Sequence, residues 1–177
     1  AVVVVKDDEV VLVTGLGVKE LGRPERVGAD TRFATGSNTK AFTAALAAAL
    51  AAEGKLSLDD HLAELLPGFA LEDPWVTRHA TLRDALSHRL GYERWAGDVV
   101  AWGSSYDARE VLRRIRFLAP RPDGYRTYGY NNWPFTAAAL VVEARGGRPW
   151  ADALQERLLG PMGMTRTTGE PAGSLAS

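Results

Sequence analysis

The chain has 177 residues, enough for one domain with a substantial core and too few for two comfortable ones. Apolar residues make up 46% and charged residues 24%, with a net charge of −1, so nothing favours nucleic acid or an anionic membrane as a partner. Cysteine is absent, which removes disulfides, thiolate metal sites and cysteine nucleophiles together and leaves the compartment open.

No apolar run is long enough to span a membrane. His61, His79 and His88 are scattered without metal-ligand spacing, so neither a metal nor a cofactor is expected. The chain opens at Ala1 inside an apolar run, with no signal-peptide pattern and no initiator methionine, and the expectation is that its original N-terminus has been removed.

In chain order, Ala1–Lys6 and Val10–Thr14 are β-branched runs separated by Asp7-Asp8-Glu9, the pattern of a hairpin. Val2–Val5 is apolar on both faces, which predicts a central strand covered on both sides. Residues 15–30 read as a loop, and Thr31–Ala34 as a short strand. An alanine-rich helix follows from about Thr39 to Glu53, ended by Gly54 and apolar nearly all round, hence buried. Further helices are predicted over Leu58–Leu66, over Thr81–His88 with Thr81 as N-cap and Asp84 in the capping-box position, and over Asp107–Leu118. Two more cover Phe135–Arg145, with Pro134 in the first turn, and Trp150–Leu159. Strands come first and helices after, an α/β (α+β) order with few strands.

Two stretches carry chemistry. In "GSNTKAF", Ser37 and Lys40 lie three apart, on one face at the start of the alanine-rich helix. Lys40 is one of only four lysines, and a cation in a first turn costs about 0.3–1 kcal/mol against the helix dipole. A lysine that shares a proton with a serine is one way to make a nucleophile, and free N–H groups at the helix start favour negative charge on the serine oxygen. The plainer alternative is capping by Ser37 or Asn38, with Lys40 reaching solvent. In "YGYNNWPF", Tyr130 can act as a general base only if a nearby cation lowers its pKa from about 10, and Lys40 could be that cation. Asn132 offers an amide that both donates and accepts, suited to holding a lysine and a carbonyl. Its plainer role is helix capping, with Tyr130 a half-buried packing residue.

Together the two motifs resemble the serine β-lactamase and penicillin-binding-protein superfamily, in the branch of class C β-lactamases, D-aminopeptidases and esterases. "AVVVVKDDEVVLVTGLG", "TLRDALSHRLGY", "RTYGYNNWPFTAAALVVEARGGRPW" and "ERLLGPMGMTRT" are similar to successive family segments, so the likeness covers nearly the whole chain. It implies a β-lactamase/transpeptidase-like fold: an antiparallel sheet flanked by helices, plus a helical region. Residues 1–36 would supply strands and a loop, and residues 37–177 the nucleophile helix and helical region of the same domain. It also implies that Ser37 is acylated, Lys40 takes part in its deprotonation, Tyr130 serves as base and then acid, and Asn132 positions Lys40 and substrate. The Ser37 backbone N–H would be one oxyanion donor. His88 and Arg89 match a family loop motif and read as structural. Trp95, Trp102 and Trp133 are candidates for an apolar acyl pocket, with at least two of them expected in the core. Substrates implied are esters, β-lactams or peptides with a D-residue.

The family's third motif, K-T-G or H-x-G, is not found: Thr14-Gly15, Thr35-Gly36 and Thr168-Gly169 lack the preceding residue or the strand. The expectation is a domain short of its C-terminal strands, whose remainder would be a partner, and a poor catalyst alone. The competing reading is a binding or sensor fragment that keeps the fold without turnover.

Overall fold

β1 (Val2–Lys6) and β2 (Glu9–Thr14) pair antiparallel, with Val2 opposite Thr14 and Lys6 opposite Glu9. Asp7 and Asp8 make the turn, both at positive φ (51° and 63°), the backbone a two-residue hairpin needs and one that aspartate tolerates. A bulge between Val4 and Val5 shifts the register. The computed structural model describes residues 1–169, which divide into two units, residues 1–35 and residues 36–169.

Val2–Val5 is not the covered strand that its apolar run predicts: Val3 is 58% and Val5 60% exposed. Within residues 1–35 the sheet has these two strands alone, and their own unit has no helix to lay over either face. The expected strand at Thr31–Ala34 is also absent. Thr31 instead closes a turn, its N–H donating to the Gly28 carbonyl at 3.2 Å and its Oγ1 accepting from the Gly28 N–H at 2.9 Å.

Residues 36–169 are helical. A 3₁₀ turn (Gly36–Asn38) leads into α1 (Thr39–Ala52). The predicted helix over Leu58–Leu66 shrinks to α2 (Leu62–Leu65). Ser57–Asp60 prefers a turn, with the Ser57 N–H donating to Asp60 Oδ2 at 2.7 Å. α3 (Pro74–His79) was not anticipated; Asp73 caps it, accepting from the Trp75 N–H at 2.7 Å, with Pro74 in the first turn. α4 (Leu82–Leu86) carries the expected capping box between Thr81 and Asp84. α5 (Asp98–Ala101), also unanticipated, follows Gly97 at φ 83°. α6 (Ala108–Ile115) is capped by Asp107, buries Val111 and Ile115 and turns Arg113 and Arg114 outward to Glu110. α7 (Trp133–Gly146) begins just ahead of its predicted start and ends at Gly147 in the left-handed region. α8 (Trp150–Leu154) runs on into a π-helical turn over Gln155–Leu159.

The core gathers on α1 and α7. Leu46, Ala47 and Leu50 are buried on the first, and Ala137, Ala138, Val141 and Val142 on the second. Full burial of each Val or Leu contributes about 1.5–3 kcal/mol. The helices run in the same direction. Lys40 and Asn132 meet at their starts, and a Cβ placed on Gly146 would touch the Leu50 methyls at 3.9 Å near their ends. Both therefore open onto one place.

Candidate active site

The 3₁₀ turn at Gly36–Asn38 brings Ser37 to the mouth of α1, where its side chain is exposed. Lys40, in the first helical turn, donates from Nζ to Ser37 Oγ at 3.1 Å, the contact that three-residue spacing predicts. Its second acceptor is Asn132 Oδ1, at 2.6 Å. Neither plain capping role is realised. Asn38 makes no side-chain cap bond to α1, and Asn132 makes none to α7, although each occupies the cap position. Asn132 instead spends its amide on Lys40 and on Asp98, whose Oδ2 accepts from Nδ2 at 2.7 Å.

Tyr130 completes the cluster from the far side. Its hydroxyl lies 2.6 Å from Ser37 Oγ, and either oxygen can donate. The Lys40 Nζ stands 4.8 Å from the centre of the Tyr130 ring and 5.4 Å from that of Phe135, so aromatic faces wall the cation. Partial burial pushes the Tyr130 phenol up, but hydrogen bonding with Lys40 and Ser37 and the Lys40 charge outweigh it, leaving the pKa below the ordinary tyrosine value.

Two loops fix Tyr130 in place. Residues 88–95 and 121–130 run side by side: Gly129 N–H donates to the His88 carbonyl at 2.9 Å, Arg126 N–H to Arg89 at 2.9 Å, and Trp95 N–H to the Tyr130 carbonyl at 2.8 Å. Gly129 is required by space, since a Cβ there would lie 1.9 Å from the Tyr92 carbonyl oxygen. His88, at φ 59°, lays its ring 4.4 Å from that of Tyr130 and accepts the Asn131 N–H on Nδ1 at 3.3 Å. Burial, then the Lys40 charge, hold its pKa below the ordinary histidine value. Arg89 donates to the Arg126 carbonyl at 3.1 Å and takes no part in the cluster.

The tryptophans divide differently from the expectation that at least two are core. Trp133 is 2% exposed, whereas Trp95 is 46% and Trp102 71% exposed. Trp95 alone reaches the cluster, its ring edge-on to Tyr130 with centroids 4.9 Å apart. Sequence reasoning missed Asp98, which is 8% exposed. A lone aspartate after a glycine gives no pattern to read. Among the described residues no group of three His, Cys, Asp or Glu side chains could hold a metal ion, and no helix is long and apolar enough to cross a membrane.

Comparison with known proteins places this cluster in context. The chain is 33% identical over 163 residues to the unguisins hydrolase ungD′ of Aspergillus campestris, covering 86% of this chain and 30% of that protein. It is 34% identical over 172 residues to a D-aminopeptidase of Brucella anthropi, covering 93% of this chain and 31% of that protein. The chain thus spans about a third of the length of these curated relatives. The crystal structure of FmtA from Staphylococcus aureus superposes with a TM-score of 0.80 at 20% identity, over 93% of this chain and 44% of that one, a likeness of fold. The beta-lactamase family profile matches residues 1–176, and with these relatives it shows that the chain belongs to the beta-lactamase family.

Proposed function

We propose that the chain carries the acylation machinery of a serine hydrolase. The observation that supports this best is the pair of contacts on Ser37 Oγ, from Lys40 Nζ at 3.1 Å and with Tyr130 Oη at 2.6 Å. In this reading the Tyr130 phenolate, favoured by Lys40, takes the Ser37 proton as Oγ bonds to a substrate carbonyl carbon. The tetrahedral oxyanion is met by the Ser37 backbone N–H at the mouth of α1. On collapse the bond from the carbonyl carbon to the leaving oxygen or nitrogen breaks, and Tyr130 returns its proton to that atom. Water then releases the acyl group from Ser37. Asn132 holds Lys40 through Oδ1. Esters, β-lactams and peptides with a D-residue share this acylation step, and the D-aminopeptidase relative favours the last.

The test is an activated fluorophosphonate or labelled penicillin read by intact mass, alongside p-nitrophenyl ester turnover. One adduct on the wild-type protein, absent from Ser37→Ala, is the expected result. Equal labelling of both proteins would overturn the assignment of the nucleophile. An adduct that persists without turnover would instead assign the sensor reading.

A further inference from the structure

Asp98 is a nearly buried carboxylate, 8% exposed. Desolvating a carboxylate is costly unless its oxygens are hydrogen-bonded, so its partners show what it is for. Among the described residues, both hydrogen bonds that its oxygens accept come from Asn132. Oδ2 accepts from Asn132 Nδ2 at 2.7 Å, and Oδ1 from the Asn132 backbone N–H at 3.4 Å. The carboxylate therefore grips Asn132 at its side chain and its main chain.

The grip decides which way round the Asn132 amide sits. An amide's oxygen and NH₂ are nearly the same shape, and only the surrounding hydrogen bonds distinguish its two orientations. An acceptor-only carboxylate on one side forces NH₂ toward itself and Oδ1 toward Lys40, where the bond is 2.6 Å. Reversed, the amide would aim two N–H groups at an ammonium and one oxygen at a carboxylate, leaving like facing like at both ends.

We propose that Asp98 is a positioning residue of the serine hydrolase site: by fixing the Asn132 amide it holds Lys40 on Ser37 and beside Tyr130. Asp98 touches neither Ser37 nor Tyr130 and acts through Asn132. Its backbone belongs to α5, which is set by Gly97 in the left-handed region, where a Cβ would lie 2.5 Å from Ile115 Cδ1. A core contact thus fixes where the carboxylate stands. The inference rests on the function proposed above only for the use made of Lys40.

The two ways Asp98 could matter have opposite signs. As a bare negative charge it raises the Tyr130 pKa, so its removal would lower that pKa. As a positioning group its removal releases Lys40, the cation that holds the phenol down, so the Tyr130 pKa rises. The experiment compares wild type, Asp98→Asn, Asp98→Ala and the exchange Asp98→Asn/Asn132→Asp in the full chain. Tyr130 is titrated by NMR, assigned with Tyr130→Phe, and fluorophosphonate labelling of Ser37 is followed against pH. The expected result is a rise of the Tyr130 pKa in both single variants and a labelling rate about tenfold to a hundredfold lower, the scale of a lost charge-assisted hydrogen bond. The labelling limb moves to higher pH with it. The exchange gives Lys40 a carboxylate acceptor at residue 132, held in turn by an amide donor at residue 98, and recovers labelling. A Tyr130 pKa that falls or stays fixed in Asp98→Asn overturns the proposal, as does an exchange variant no faster than the single ones. Should Asp98→Ala not fold, the isosteric Asp98→Asn and the exchange carry the test. A wild type that takes no label defeats the hydrolase reading, while the Tyr130 titration still judges Asp98.

Discussion

Tyr130 Oη and Ser37 Oγ lie 2.6 Å apart although 93 residues separate them in sequence. Lys40 is bonded to the same serine oxygen, and its charge lowers the phenol's pKa. In the proposed mechanism the active form of Tyr130 is the phenolate, so acylation is expected to rise with pH through a pKa below about 10. Tyr130→Phe removes the base and is expected to cost about 10²–10⁴ in the labelling rate with little effect on thermal midpoint. Lys40→Met moves the limb up in pH; a limb unchanged between Lys40→Met and wild type would separate Lys40 from Tyr130.

His88 answers to pH differently. Its pKa in the fold is depressed, by burial and then by Lys40, so the native state prefers the neutral ring. In the unfolded chain it titrates near 6.5. As pH falls below that value the unfolded state binds a proton that the folded state resists, and stability is lost down to the depressed native pKa. Above pH 6.5 the effect is nil. His88→Gln removes this slope: its urea midpoint, measured from pH 7 to pH 5, falls less on acidification than that of wild type.

Gly129 tests the loop pairing. A methyl there would collide with the Tyr92 carbonyl 1.9 Å away, and backbone cannot yield as a flexible side chain does. Gly129→Ala is expected to cost about 3 kcal/mol in urea unfolding, the upper range of overpacking. It also displaces Tyr130, next in the chain, so labelling of Ser37 falls more than stability alone requires.

What was legible in the sequence was what is local. Ser37 and Lys40 share a helix turn, and Thr81 and Asp84 a capping box, so spacing alone placed them. Tyr130 and Asn132 were found by their motif, and the fold brings both to Lys40 and Ser37. Asp98 escaped because its meaning lies wholly in a contact across 34 residues, on a helix of four residues too short for periodicity. Asp73-Pro74 carries a helix-start signal for α3, a cap and a first-turn proline, but α3 is too short to show a period. The apolar run Val2–Val5 misled in the other direction. Pattern reports what a strand could bury, and the two-stranded sheet of residues 1–35 leaves it exposed.

The shared direction of α1 and α7 makes the core the gauge of the site. Lys40 rides at the head of one rod and Asn132 at the head of the other, so the spacing of the two rods bears on the reach between them. Thickening the seam between them by a few methyl groups would open the jaws at Lys40 and Asn132 with both residues unchanged. The helix pair is thus the caliper that measures out the distance from Lys40 to Asn132.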